Sequence, residues 1–167
     1  MRLIHILSLA SVFALAAPTA HAARSRDAEP APITLEDLKG LDPNEAIEII
    51  ERAPNSRFVN LDDLNWSKEK KAPVLKAAEE ARADQDSLWG DTILEGDYQL
   101  TGDVEVSSIE AIFVGSHLYG YKVSVWASAE MDIGEDEPTT GSISAAALLT
   151  RKLDIERIDN WIAEFND

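Results

Sequence analysis

The spacing of apolar residues changes twice along the chain. It opens with a run from Leu3 to Ala17 interrupted only by His5, Ser8 and Ser11, and followed by Pro18-Thr19-Ala20-His21-Ala22-Ala23. Small residues at Ala20 and Ala22 suit the −3 and −1 pockets of a signal peptidase. The run spans 15 residues, short of the roughly 20 a membrane-crossing helix needs. Residues 1–22 therefore read as a secretory signal cut after Ala22. Residues 23–32 read as a disordered lead, and 33–167 as a single α+β domain.

Helical spacing occupies the first part of that domain. Thr34 reads as a cap for a short helix from Leu35 to Lys39 ended by Gly40. Asp42-Pro43-Asn44-Glu45 is a helix start with a proline in the first turn and a capping-box glutamate. Ala46, Ile49 and Ile50 form its apolar stripe, and Pro54-Asn55-Ser56 ends it. Leu61, Leu64 and Trp66 then fall in a connecting segment. A second helix is expected from Pro73 to Arg82, with Val74, Leu75, Ala78 and Ala81 inward, because an interior proline disfavours an earlier start. Asp84–Asp91 reads as a loop.

From Thr92 the period becomes two. Thr92–Leu100, Val104–Val114 and Leu118–Met131 read as strands of an antiparallel meander. A three-residue Gly115-Ser116-His117 loop pairs Phe113 with Tyr119, Ala111 with Tyr121 and Ile109 with Val123 on an apolar face. Glu110 then meets Lys122, and Ser108 meets Ser124, on a polar one. The phase slips near Ser107-Ser108, which predicts a β-bulge. The Thr101-Gly102-Asp103 turn places Tyr98 opposite Val106. Ser142–Thr150 alternates and reads as a fourth strand. Beyond Asp154, Ile155, Ile158, Ile162 and Phe165 share one helical face, joined by Trp161. They predict a terminal amphipathic helix packed on the sheet. The expected fold is thus α+β: N-terminal helices, a three- to four-stranded antiparallel meander, and a C-terminal helix beneath it.

Composition narrows the chemistry. The chain of 167 residues carries 31 acidic and 15 basic side chains and no cysteine, for a net charge of −16. Removing residues 1–22 removes the charge of Arg2, so the remaining 167 − 22 = 145 residues carry −17. This balance opposes binding to nucleic acid or anionic lipid, which need clustered cations. Without cysteine there are no disulfides, thiolate nucleophiles or cysteine-rich metal sites.

Candidate catalytic groups are sparse. After residue 22 the only histidine is His117, at a hairpin tip beside Ser116. It has no G-x-S-x-G elbow and no second imidazole for a metal. Ser67-Lys68-Glu69-Lys70 matches S-x-x-K without the S-D-N and K-T-G partners of penicillin-recognising enzymes, and Ser67 reads more simply as a helix cap. Asn65-Trp66-Ser67 is a glycosylation sequon by pattern. Glu95, Asp97, Asp103, Glu105 and Glu110 are available for a two-carboxylate hydrolase, yet each is equally a solvent-facing strand residue. Asp132, Glu135, Asp136 and Glu137 form an acidic loop without EF-hand spacing, better suited to solvation than to calcium.

Charge distribution says more than any motif. Between Asp84 and Glu137 there are thirteen acidic residues and one basic residue, Lys122. The cations gather at Lys68, Lys70, Lys71, Lys76 and Arg82, and at Arg151, Lys152 and Arg157. The expectation is an exported, non-enzymatic domain with no cofactor that binds a cationic protein or envelope component, as an inhibitor, immunity-like factor or assembly accessory. Its expected contacts are Glu105, Glu110, Lys122 and Trp126. The alternatives are a carboxylate-dependent hydrolase of envelope polysaccharide and a small-ligand carrier. The first would show a groove with two carboxylates, the second a deep aromatic-lined cavity.

Overall fold

The computed structural model describes residues 31–84, 98–131 and 139–165, which form a six-stranded antiparallel sheet with a helix on each face. Helix α1 spans Pro43–Arg52, strand β1 Ser56–Asn60, a single 3-10 turn Leu61–Asp63, and helix α2 Lys68–Ala83. Strands β2 (Tyr98–Leu100), β3 (Glu105–Val114), β4 (His117–Met131), β5 (Thr139–Thr150) and β6 (Ile155–Phe165) follow. The sheet runs β1-β3-β4-β5-β6, and β2 pairs with the far end of β4. No helix among the described residues is long and apolar enough to cross a membrane.

Helix α1 begins where the sequence places it. Asp42 Oδ1 accepts from the Asn44 amide, Pro43 occupies the first turn, and Ala46, Ile47 and Ile50 are buried. Helix α2 starts earlier than expected. The Ser67 hydroxyl accepts from the Lys70 amide at 3.4 Å, and Pro73 falls inside the helix. At the sixth position Pro73 leaves the Glu69 carbonyl without its helical donor and crowds it, yet the helix runs on past it to Ala83. Val74, Ala77, Ala78 and Ala81 are buried, whereas Leu75, expected inward, is 47% exposed. The predicted helix at Leu35–Lys39 is instead a run of turns, in which the Thr34 amide and hydroxyl both donate to Asp37 Oδ2.

The central hairpin follows the expected pairs Ser108–Ser124, Ile109–Val123, Glu110–Lys122 and Ala111–Tyr121, with the bulge at Ser107. Its tip differs. Val114 pairs with His117 and Phe113 with Leu118, so the loop has two residues and Tyr119 is an extra residue on β4. One residue leaves the loop and one enters as a bulge, so the register beyond is unchanged. Tyr98 lies opposite Met131, not Val106.

Two further corrections concern the edges and the layering. The segment after α1 supplies β1, paired with β3 from Ser56–Val114 to Asn60–Glu110. The C-terminal segment is strand β6, not a helix: Leu149 pairs with Ile155 and Gly141 with Phe165. The reversal is made by Thr150, whose hydroxyl accepts from the amides of Lys152 and Asp154, with Leu153 in the left-handed region at φ 72°. Ile155 packs in the core under α2, and Ile158 in the core under α1. A spacing of three in a strand sends side chains to opposite faces. Because both faces are covered, a helix-like pattern is satisfied by a strand. The sheet is therefore not sealed by a terminal helix: α2 closes one face and α1 part of the other.

Candidate functional site

Alternation along β4 separates two surfaces. Tyr121, Val123, Val125, Ala127 and Ala129 are buried under α2, while Lys122, Ser124, Trp126, Ser128 and Glu130 point to the α1 side. Helix α1 covers one end of that side through Ile112, Val114, Ala146, Leu148 and Ile158. Among the described residues, no helix covers the other end. There Trp126 lies between Glu105 on β3 and Ser144 on β5, Ser128 lies opposite Ser142, which lies opposite Glu164, and Glu130 lies opposite Thr140.

This open end holds a shallow hollow of about 550 Å³ lined by Thr101, Trp126, Ser128, Thr140, Ser142 and Glu164, with Ala129 and Gly141. Trp126 is 38% exposed, one of two large exposed apolar side chains among the described residues. Thr101 is held beside β4 by its amide donating to the Ser128 carbonyl at 3.0 Å. Among the described residues, none of the lining hydroxyls, nor the Glu164 carboxylate, has a side-chain partner.

The four expected contacts divide into two pairs. Glu105 lies opposite Trp126, and of the two Trp126 lines the hollow. Glu110 and Lys122 lie opposite each other nearer α1, and Lys122 Nζ is 3.2 Å from Glu51 Oε1 on that helix and 5.9 Å from the Phe58 ring centroid. Lys122 is thus taken up in holding α1 to the sheet. The hydroxyl wall and Glu164 escaped the sequence reading. Part of their signal was present, since Ser124 and Ser128 on β4 and Ser142 and Ser144 on β5 recur at every second or fourth position among small and apolar residues. Glu164 was hidden by its placement in a helix.

The other candidates resolve locally. Ser116 and His117 are exposed neighbours at the hairpin tip. Ser67 caps α2. The Glu69 backbone amide, and secondarily the Ser67 hydroxyl, hold the Glu69 carboxyl below its ordinary value. Lys70, the lysine of the S-x-x-K match, has Nζ 3.7 Å from the Trp66 ring centroid. Asp103 is exposed, and Glu95, Asp97 and the acidic loop Asp132–Glu137 lie outside the described residues. No group of three or more metal-ligating side chains occurs among the described residues. One carboxylate among them, Glu164, lines the hollow, where a hydrolytic pair needs two. A second depression of about 180 Å³ lies beside the β3 bulge, next to Leu75, Asn60 and Val106. Compared with family models, curated proteins and solved structures, the chain finds no match in any of the three.

Proposed function

We propose that this chain is an exported binding domain that captures a cationic macromolecule through the open half of its sheet. The observation that carries the reading is Trp126, an exposed indole in the middle of an anionic, hydroxyl-rich sheet face that α1 leaves bare. Exposed aromatics ringed by polar groups are typical anchors of protein contacts. The surrounding carboxylates Glu105, Glu130 and Glu164 supply a field that attracts positive charge and raises the rate of encounter. With Lys122 held by Glu51, little nearby positive charge offsets that field.

The test is binding of a nona-arginine peptide to the full chain at two ionic strengths. Capture that weakens steeply with salt, and weakens again in a Glu105→Gln/Glu130→Gln variant, supports the reading. Absence of binding at low salt overturns it. Export through residues 1–22 is tested by N-terminal sequencing of protein recovered outside the cytoplasm. Ala23 is the expected first residue.

A further inference from the structure

Resting on that reading, we propose that the hollow beside Trp126 receives one arginine side chain of the partner, with the guanidinium stacked on the indole and bonded to Glu164. The size, the wall chemistry and the charge agree. A volume of about 550 Å³ accommodates a guanidinium and its stem without a deep pocket. Trp126 stands at the rim and Glu164 at the opposite side, two strands away in the sheet order. Between them lie the hydroxyls of Ser128 and Ser142, paired across β4 and β5. Thr101 and Thr140 complete the wall.

A guanidinium presents five N–H donors in a plane, so it needs a flat apolar surface and several acceptors around its edge. Indole supplies the most favourable face for such a cation. Hydroxyl oxygens and a carboxylate supply the acceptors. A lysine ammonium is a compact point charge and uses fewer of these acceptors. A neutral sugar ring also stacks on indole, but it draws nothing from the surrounding negative field, which favours the cation.

The experiment titrates Nα-acetylarginine methylamide into the full chain and follows the indole N–H resonance of Trp126, assigned by its loss in Trp126→Phe. The lysine and citrulline analogues serve as controls, citrulline having arginine's shape without its charge. Saturable shifts with the arginine probe, absent with citrulline and weaker by about tenfold in Glu164→Gln, support the hollow as an arginine receptor. Equal shifts with citrulline, or a Trp126 shift with the neutral disaccharide cellobiose, overturn it. So does unchanged arginine binding in a Glu164→Gln variant of native circular dichroism. If nona-arginine still binds that variant as tightly as the unaltered chain, the acidic-face reading stands and the single-residue receptor falls. If nona-arginine binds neither protein, both fall.

Discussion

Lys122 Nζ lies 3.2 Å from Glu51 Oε1, so the only cation between residues 84 and 137 is held by a helix 71 positions earlier in the chain. The Lys122 side chain is largely covered while Glu51 is half exposed, so solvent screens the pair and its contribution to stability is small. Glu51→Gln is expected to lower unfolding free energy by about 0.5 kcal/mol in urea denaturation. It also unmasks a positive charge near the open sheet face. Nona-arginine affinity should fall by roughly twofold at low salt and be unchanged at high salt.

Trp126 should contribute to capture and little to folding. Trp126→Ala removes an exposed side chain, and substitutions away from the core usually shift stability by about 0.5 kcal/mol or less. The melting temperature is expected to stay within about 3 °C of the unaltered chain, while binding of the arginine probe is lost. A large fall in melting temperature would place the indole among the core residues.

Gly120 is required where β4 pairs with the end of β5. A Cβ there would overlap the carbonyl oxygen of Leu149, a backbone atom of a fully buried residue in the adjoining strand. Backbone in a paired strand does not move aside cheaply. Gly120→Ala should destabilise by about 3 kcal/mol or leave the protein insoluble. Thermal denaturation of the two proteins side by side is the measurement.

Ser56, at the start of β1, buries its hydroxyl without a partner among the described residues. Removing such a group relieves a desolvation cost and opens only a small void. Ser56→Ala should be neutral or stabilise by up to about 1 kcal/mol, read from the urea midpoint.

Alkaline pH should unfold the protein through its tyrosines. Burial raises the phenol pKa of Tyr119 and Tyr121, with the Glu156 charge adding to the effect at Tyr119. The folded state therefore keeps these protons after the unfolded chain has begun to lose them. The stability they confer is complete below the unfolded value of about 10 and declines as pH rises through the folded values. Tyr119→Phe should flatten the fall in stability above pH about 10, followed by urea midpoints across that range.

The strongest local signals survived folding. Asp42-Pro43 starts a helix because its cap and first turn are complete within a few residues. The β3–β4 register beyond the tip is set by cross-strand pairs such as Glu110–Lys122, and a bulge absorbs the shorter loop without disturbing it. The site was legible only in part. Strand alternation puts Trp126 and Glu105 on the sheet face that α1 leaves uncovered, whereas Glu110 and Lys122, equally polar in sequence, lie toward the end that α1 covers.

Local patterning thus determined α1, most of α2, the central hairpin and the acidic character of the sheet half. Tertiary packing decided the rest. Ile155 and Ile158 are spaced as on one face of a helix, but cores above and below the sheet bury both from a single strand. Ser56–Asn60 lacks a strand's alternation and takes that form because β3 offers an unsatisfied edge. The hollow is likewise assembled from β4, β5, β6 and the β2–β3 connection, segments whose adjacency only long-range hydrogen bonding creates.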